Sequence, residues 1–248
     1  MATRFRRTLR TLRFLRTALG SGRYFHRHFA LVTGDAALED AASIRHEVFC
    51  QEKGWEALRE DRREIDTMDV HALPIVLYWR PTQRPIACMR LIFATDGPLP
   101  IENLTKKAIT KDRQCIAEVS RMAVIRDFRD RPGPCAAGRE CPSAATHDPV
   151  LHRFPFVFAS LYLAVLRSAE LRGIQNLYFI VQPKLFNNLQ RIGAMPERIG
   201  DAVEHRGERI PCHISVARML EGIPLWAKPL WKAVRRQIKI LNSSKEGP

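Results

Sequence analysis

The sequence predicts a single α/β domain with a central mixed sheet and helices on both of its faces. Apolar runs with strand-like composition alternate with segments of helical periodicity along most of the chain. That alternation is typical of one sheet covered by helices. A chain of 248 residues forms one domain-sized core, with at most short appendages.

The distribution of charge divides the chain into three parts. Residues 1–28 contain eight arginines and no acid, residues 225–248 have a net charge of +5, and residues 29–224 have a net charge of only +1. We therefore predict a nearly neutral domain at 29–224 between two basic tails. Both tails have an apolar stripe at helical spacing, which favours amphipathic helices, and the first helix is expected to end at Gly20–Gly22.

Basic amphipathic helices of this kind are typical of contact with an anionic membrane surface. Docking of an acidic carrier protein is a second interpretation, RNA binding a third, and a solvated tail a fourth. Because the positive charge is confined to the ends rather than spread over the domain, nucleic acid is the weakest of the partners.

The first half of the domain is expected to contain a helix, a hairpin and a strand. Residues 38–54 have helical periodicity and end at a glycine. Ile75–Trp79 and Ile86–Ala94 are β-rich runs separated by a proline-bounded turn, as in a hairpin. Cys115–Ile125 alternates like a strand, except that the alternation breaks in its middle, which predicts a β-bulge.

The second half begins with a segment rich in proline, glycine and cysteine, which predicts a long loop insert at 130–150. Helical and strand-like segments then alternate to the end of the domain. They predict a helix at 153–172, a strand at Asn176–Val181, a short helix at 183–191 and a final pair of strands at about 197–206 and 209–217.

The cysteines and the chain ends give little sign of metal binding or export. The six cysteines include no C-x-x-C pair, so reduced thiols are expected and no metal site is predicted. A disulfide or a metal at the closest pair, Cys135 and Cys141, is the alternative. The apolar runs are too short to cross a bilayer, and arginines interrupt every candidate signal segment. We predict a cytoplasmic protein, with peripheral association at the inner face of the membrane as a further hypothesis.

Polar residues in the first helix and after it form one set of candidates for a site. Arg45 and Phe49 lie four residues apart on the predicted helix and share a face, and Trp55 follows. Asp66 and Asp69 are paired acids that suit an ammonium group or a cationic substrate. The alternative is structural: an arginine above a core phenylalanine, and two solvated acids in a loop.

The inner strands provide a second set of candidates. Arg90 interrupts a strand that is otherwise apolar on both faces, and an unpaired buried charge is very costly. Glu118 and Arg121 lie three apart in the bulged strand, so a bulge is needed to bring both into one cleft. A carboxylate in such a cleft is a candidate general base for an amine; a structural ion pair between the two residues is the alternative.

This set, in this order, resembles the acyl-homoserine-lactone synthase branch of the GNAT superfamily. The resemblance covers about residues 41–125 and includes an Arg-x-x-x-Phe helix, a tryptophan six residues beyond, an Asp-x-x-Asp pair, an Arg-Leu strand and a Glu-x-Ser-Arg strand. The matching residues here are Arg45, Phe49, Trp55, Asp66, Asp69, Arg90, Leu91, Glu118, Ser120 and Arg121.

The chain resembles still more closely the acyltransferases associated with PEP-CTERM/exosortase systems and the N-acyl amino acid synthases. Shared features are the Phe-Cys-x-Glu helix, a Leu-Pro-Ile segment, Phe-Arg after the Glu-x-Ser-Arg strand and a late Gly-x-x-x-x-x-x-Gly-x-Arg-x-Pro motif. They correspond to Phe49–Glu52, Leu99–Ile101, Phe128, Arg129, Gly200, Gly207, Arg209 and Pro211.

The resemblance implies a GNAT-like fold and transfer of a fatty acyl group from a thioester to the amine of an amino acid or related acceptor. Glu118 and Arg121 are the implied catalytic residues. The implied substrate-binding residues are Arg45, Phe49, Trp55, Asp66, Asp69, Arg90 and Ser120, and Phe156, Phe158, Leu161 and Phe179 line an acyl tunnel where they do not simply fill the core.

The donor is predicted to be acyl-carrier protein, with acyl-CoA as the alternative, and no bound cofactor is expected. No glycine-rich turn for a pyrophosphate follows Val124, which favours the carrier protein. Two alternative functions are an autoinducer synthase that uses S-adenosylmethionine, and a non-catalytic basic protein that binds nucleic acid.

Overall fold

The computed structural model describes residues 20–106, 108–129, 154–191 and 194–239. The helices are α1 (20–28), α2 (Leu38–Arg45), α3 (Pro100–Thr105), α4 (Arg126–Arg129), α5 (Phe154–Leu171), α6 (Pro183–Arg191), α7 (Val216–Glu221) and α8 (Lys228–Gln237). The strands are β1 (Phe29–Thr33), β2 (Ala72–Trp79), β3 (Arg84–Phe93), β4 (Ile116–Val124), β5 (Asn176–Val181), β6 (Glu197–Arg198), β7 (Val203–Glu204) and β8 (Glu208–Ser215).

The strands form one mixed sheet in the order β1-β2-β3-β4-β5-β8-β6, and β7 also pairs with β8. Neighbours are antiparallel except for β4 and β5, which are parallel. The predicted hairpin is β2–β3, and the strand predicted at Asn176–Val181 is β5. The prediction of a single α/β domain with a mixed sheet is confirmed.

The two parallel strands separate in the middle of the sheet. β4 and β5 pair only where Ile116–Glu118 faces Asn176–Tyr178, although both strands continue beyond that point. Beyond Glu118 the facing edges of the two strands are therefore not bonded to each other. The separation opens a cleft through the sheet, and Glu118 lies where it begins.

Helices cover both faces of the sheet, as predicted. Cys88 of β3 lies against the carbonyl oxygen of Ala41 in α2, and the backbone N–H of Ile101 in α3 donates to Glu118. Successive side chains of a strand point to opposite faces of the sheet, so Leu177 and its neighbour Tyr178 lie on opposite faces. Leu177 joins the main core, which contains the buried side of α5. No helix in the described part of the chain is both long and apolar enough to cross a membrane.

The bulge predicted in Cys115–Ile125 is confirmed. Ser120 pairs with Arg90 and Ala123 with Cys88, so the two residues between them in β4 oppose one residue of β3. Arg121, one of these two, has a φ of 52°, in the left-handed region. The extra residue shifts the alternation of β4, which is why its apolar pattern breaks in the sequence.

The helix predicted at 38–54 begins and ends near the expected residues but changes type. α2 continues into a π-helix at His46–Glu52, and the chain leaves it at Gly54, whose φ is 61°. The wider π-helical turn changes the phase of the side chains after Arg45.

Of the final pair of strands, the second is confirmed as β8, whereas the first was predicted wrongly as one long strand. The first is two short pieces, β6 and β7, and the second ends at Ser215, where α7 begins. The chain leaves the sheet between β6 and β7, around Gly200. Arg206 and Gly207 both have positive φ and form the turn into β8, as predicted.

The parts of the two basic ends that the structure describes pack on the domain. α1 spans 20–28, so the helix end predicted at Gly20–Gly22 is wrong. Gly22 permits close contact with Pro229, and the buried Phe25 anchors the helix in the core. The apolar stripe of α8 is also buried in the main core. Residues 1–19, the loop insert at 130–150 with its two cysteines, Gly193 and Leu241 lie outside the described residues.

Candidate active site

Arg45, at the end of α2, is held by two acids beneath the surface. Its terminal nitrogens donate to the two carboxylate oxygens of Asp69 at 2.8 and 2.7 Å. Its Nε lies 2.6 Å from the Glu64 carboxylate and donates to the Glu64 carbonyl at 3.1 Å. Because Arg45 is only 1% exposed, these bonds compensate for the loss of its hydration.

Asp66 and Asp69 lie at the two ends of one short turn. Asp66 precedes a 3-10 helix at Thr67–His71 and its side chain accepts the N–H of Met68 at 2.9 Å. Asp69 in return accepts the N–H of Asp66 at 3.0 Å. This reciprocal capping fixes both carboxylates, and it explains why the segment has no helical periodicity in the sequence.

Arg90 joins the two acids to the bulged strand. Its Nη1 lies 2.5 Å from Asp66 Oδ1 and 2.8 Å from Asp69 Oδ1, and its Nε donates to Ser120 Oγ at 3.2 Å. Arg90 is 3% exposed. The charge that interrupts an apolar strand in the sequence therefore has the partners that its burial requires.

Arg121 reaches the same acids because of the bulge. Its Nη2 lies 2.7 Å from Asp66 and 3.1 Å from Glu64, and its guanidinium lies 5.9 Å from the centre of the Phe49 ring. In a regular strand, Arg121 and Glu118 would point to opposite faces; the left-handed conformation at Arg121 brings both to one cleft. An ion pair between these two residues does not form in the described chain.

The arginines keep the paired acids ionised. Burial alone would raise the pKa of Asp66, but the hydrogen bond from Arg90 and the charges of Arg90 and Arg121 hold that pKa below its usual value. Burial opposes ionisation of Asp69 as well, and its bonds to Arg45 outweigh it, so its pKa is also lowered. Asp66 and Asp69 thus remain negative at neutral pH.

Glu118 differs from these acids because no arginine of the described chain binds it. Its side chain is 2% exposed, and its Oε2 accepts the backbone N–H of Ile101 at 2.8 Å. Burial raises the pKa of Glu118 to about 7; the hydrogen bond from Ile101 and the charge of Arg90 only partly oppose this shift. Near neutral pH the group therefore exchanges a proton readily, as a general base must.

A cavity of about 740 Å³ connects these residues with an apolar interior. Seven of the nine predicted site residues line it, namely Phe49, Trp55, Asp66, Arg90, Glu118, Ser120 and Arg121. Arg45 and Asp69 are not among the lining residues: Asp69 accepts a hydrogen bond from the lining residue Arg90, and Arg45 in turn donates to Asp69. Two members of the predicted set hence hold the site in place from outside the cavity.

The other end of the cavity is apolar and lies between α5 and the separated strands. Its lining residues include Phe158, Tyr162, Val165, Leu177, Phe179, Leu185, Leu189 and Met219. Of the four residues predicted for an acyl tunnel, Phe158 and Phe179 line the cavity. Phe156 and Leu161 are buried in the core instead.

The turn between β7 and β8 also reaches the cavity, although it was not predicted from the sequence to belong to the site. His205, Arg206 and Arg209 are lining residues. Arg206 bonds to Glu56, and its guanidinium lies 5.8 Å from the centre of the Trp55 ring. The only signal in the sequence was the late Gly-x-Arg-x-Pro motif, which contains Arg209.

The described residues contain no group of three or more His, Cys, Asp or Glu side chains arranged to hold a metal ion. The four cysteines in the described part of the chain, Cys50, Cys88, Cys115 and Cys212, are free thiols.

Comparison with known proteins shows the fold. The acetyltransferase (GNAT) domain matches residues 44–137 of the chain. A CoA-dependent acyl-homoserine lactone synthase, BjaI, has a similar structure with a TM-score of 0.59 at 16% sequence identity, over 82% of this chain and 89% of that one. No curated protein matches the sequence.

Two further structures show the same likeness. The acyl-homoserine lactone synthase LasI has a TM-score of 0.56 at 19% identity, over 76% of this chain and 90% of that one. FeeM, an N-acyl amino acid synthase from uncultured soil microbes, has a TM-score of 0.52 at 17% identity, over 81% of this chain and 98% of that one. The domain is a single α/β domain of GNAT-like fold.

Proposed function

We propose that this protein is an N-acyltransferase that moves a fatty acyl group from an acyl thioester to the amine of an amino acid or a related acceptor. The main support is Glu118, a buried carboxyl group with a pKa of about 7, at the point where β4 and β5 separate. It lines a cavity with one charged end and one apolar end, as a reaction between an amine and a fatty thioester requires.

In the proposed reaction, the acceptor loses its ammonium proton to solvent, and the free amine attacks the carbonyl carbon of the thioester. A C–N bond forms, and Glu118 takes a proton from the amine, directly or through one water. The tetrahedral intermediate then collapses, the C–S bond breaks, and the proton passes from Glu118 to the departing thiolate. Glu118 is thus unchanged over one turnover, and the products are an amide and a free thiol.

The negative oxygen of that intermediate needs hydrogen-bond donors. Beyond Glu118, the edge of β4 that faces the cleft is not paired with β5. We assign its backbone N–H groups near the bulge to this role, because donors fixed in a strand require no reorganisation when the charge develops.

The charged end of the cavity suits an acceptor that carries an ammonium group. Asp66 is ionised, and its side chain remains 26% exposed. The stacked rings of Phe49 and Trp55, with centres 5.8 Å apart, form an apolar wall beside it. Asp69 fixes Arg90 at this end of the cavity, and Arg45 fixes Asp69.

The apolar end suits the acyl chain of the donor. We propose acyl-carrier protein as the donor, because no glycine-rich turn for a pyrophosphate follows β4. Acyl-CoA is the alternative, since BjaI, which has a similar fold, is a CoA-dependent synthase. The partners proposed for the reaction are therefore a carrier protein and a small amine.

A second candidate function is an autoinducer synthase that acylates S-adenosylmethionine. It is supported by the likeness to the lactone synthases BjaI and LasI and by the presence of all ten residues of the family pattern. The loop insert and the two basic ends distinguish this chain from a minimal lactone synthase, and for this reason we place the amino-acid acceptor first.

Contact with an anionic membrane surface remains part of the proposal for the two ends. Since Leu230 and Val234 of α8 are buried in the core, the apolar stripe of α8 serves the fold. The exposed cations Lys232, Arg235 and Arg236 are the part of this helix that can face such a surface.

The test of the proposed function is an incubation of the purified chain with acyl-carrier thioesters or acyl-CoA and either an amino-acid mixture or S-adenosylmethionine. Mass spectrometry should detect an N-acyl amino acid, and Glu118→Gln should lower its rate of formation by a factor of about 10² to 10⁴. The matched control Glu221→Gln changes an exposed carboxylate and should have no effect. An acyl-homoserine lactone as the only product would favour the second candidate; no product with either acceptor class would contradict both.

A further inference from the structure

Arg209 is a buried cation in the cavity wall, and no acid of the described chain binds it. It lies in β8 with 9% of its surface exposed. Its terminal nitrogens donate to the backbone carbonyl oxygens of Glu208 at 3.1 Å and Arg206 at 2.9 Å. Both are neutral acceptors within its own turn, so the positive charge itself is not neutralised by either of them.

The other arginines of the site have the carboxylate partner that Arg209 lacks among the described residues. Arg45, Arg90, Arg121 and Arg206 each form an ion pair with at least one carboxylate. Among the described residues, Arg209 forms none. An uncompensated buried charge is costly, so a ligand that supplies the counter-charge would be favoured at Arg209.

The nearest acid in sequence does not fill this role. Glu204 acts on Arg209 through space and favours its charged form, but its carboxylate accepts the N–H of Gly207 at 2.8 Å and makes no ion pair with Arg209. Burial is the larger effect and lowers the pKa of Arg209. A guanidinium nevertheless stays protonated in proteins, so Arg209 offers a permanent positive charge to the cavity.

Arg209 and Glu118 line the same cavity at different depths. Glu118 pairs with Tyr178 of the neighbouring strand β5, and Tyr178 pairs with His213 of β8, so the three residues lie at the same height in the sheet. Arg209 lies four residues from His213, which places it about 13 Å from the level of Glu118 along the strand direction. A substrate with its reactive centre at Glu118 would therefore present a remote group, rather than its reacting atoms, to Arg209.

We propose that Arg209 binds an anionic oxygen group, a carboxylate or a phosphate, of a substrate held in the cavity. This proposal rests on the proposed acyl transfer, in which two substrates carry such a group. The phosphate of the phosphopantetheine arm of the donor lies many bonds from the thioester, as the separation of about 13 Å along the strands requires. The carboxylate of an amino-acid acceptor lies only two bonds from the reacting amine and is the source that this separation disfavours. The planar guanidinium forms paired hydrogen bonds with either group.

Two matched pairs of probes test this proposal by isothermal titration calorimetry with the full chain. N-decanoylglycine and N-decanoylglycinamide differ in the carboxylate, whereas 4′-phosphopantetheine and pantetheine differ in the phosphate. In at least one pair, the wild-type chain should bind the anionic probe more tightly than the neutral one. Arg209→Gln should weaken binding of that anionic probe about tenfold to a hundredfold and leave the neutral probe unchanged, because a hydrogen-bonded ionic contact is lost.

Two further variants complete the design. Arg198→Gln removes an exposed arginine from the neighbouring strand β6, which is outside the cavity lining, and should change nothing. Arg209→Lys keeps the charge and should retain part of the preference for the anionic probe; it also serves if Arg209→Gln does not fold.

The source of the anion is identified by the pair of probes whose two members Arg209→Gln no longer distinguishes. The proposal is overturned if the wild-type chain does not distinguish charged from neutral probes in either pair, or if Arg209→Gln and Arg209→Lys leave the distinction intact. Since the titrations require no turnover, a chain that binds the anion through Arg209 but transfers no acyl group would contradict only the proposed function.

Discussion

The carboxylate of Asp69 accepts hydrogen bonds from both terminal nitrogens of Arg45, at 2.8 and 2.7 Å, where the Arg45 side chain is only 1% exposed. Arg90 also donates to Asp69. Removing the charge of Asp69 would leave one buried guanidinium without its main partner and weaken the hold on the second. A pair of this kind differs from a surface ion pair because neither group can return to water while the domain is folded.

We therefore expect Asp69→Asn to lower the free energy of unfolding by about 3 to 5 kcal/mol, measured by urea denaturation at neutral pH. The folded-state pKa of Asp69 is below its unfolded value, so this stabilisation is present above pH 3.8 and is lost as pH falls towards the folded pKa. The two proteins should accordingly become more alike in acid. Asp61→Asn removes a charge from an exposed ion pair with Arg59 and is the control, which should hardly change the midpoint of urea denaturation. An equal loss of stability in both variants would contradict the prediction.

Glu118 should have the opposite effect on stability. Its pKa is raised from 4.5 to about 7 by burial, so the protonated form is favoured in the folded chain. The contribution of protonated Glu118 to the free energy of unfolding is fully present below pH 4.5 and is lost as pH rises through about 7. The wild type should lose this stabilisation as pH rises, whereas Glu118→Gln has no carboxyl group to ionise. The free energy of unfolding of Glu118→Gln minus that of the wild type should therefore increase by about 3 kcal/mol from about pH 4 to about pH 8. Urea denaturation over this range measures the difference, and a constant difference would show that the carboxyl group is not desolvated.

The same pKa predicts how activity depends on pH. If Glu118 is the general base, kcat/KM for acyl transfer should rise with pH and should rise less steeply above an inflection near 7. A second inflection belongs to the acceptor amine and should move when an acceptor of different amine pKa is used. The first should remain with every acceptor and should be absent from the residual activity of Glu118→Gln. An inflection that follows only the acceptor would exclude Glu118 as the base.

The contact between α1 and α8 can be tested at a single glycine. A Cβ added at Gly22 would overlap the backbone oxygen of Pro229, which cannot move without shifting the start of α8. Gly22→Ala should therefore cost about 1 to 3 kcal/mol of unfolding free energy. At Gly20 an added Cβ meets nothing within 4 Å, so Gly20→Ala should be neutral or slightly stabilising in the helix. If both variants are equally stable, the two helices do not pack together as described.

The strands of the inner sheet were predictable because their signal is local. β2 and β5 are largely apolar runs, and β3 is apolar on both sides of Arg90. The bulge in β4 could be inferred because one extra residue breaks the alternation. β6 and β7 were not predictable as separate pieces. Each is two residues long and depends on pairing with β8 rather than on its own composition.

The residues of the site could be predicted from the sequence, but their contacts with one another could not. Arg90 was informative since a charge inside an apolar strand must have partners, and its partners are acids 21 and 24 residues away. No local pattern distinguishes Asp66, which lines the cavity, from Asp69, which does not. Arg209 was part of a motif, yet its lack of an acidic partner among the described residues is a property of the folded chain alone.

The apolar end of the cavity should determine the length of the acyl chain. Val165 is 2% exposed and lines this end, so a larger side chain there would shorten the space. Phe158 lines both the main cavity and a smaller one of about 50 Å³ that is lined also by Trp226. Removing its ring would join the two spaces and lengthen the apolar channel.

Val165→Phe should consequently shift the preferred donor towards shorter acyl chains, and Phe158→Ala towards longer ones. Competition among thioesters of graded chain length, with products measured by mass spectrometry, gives both optima in one experiment. The opposite directions matter, because a general loss of stability would lower activity with all donors and leave the optimum in place. Leu161→Ala, a core change on the same helix outside the cavity lining, provides that comparison. If its optimum moves as far as those of the two lining variants, the acyl chain does not lie in this part of the cavity.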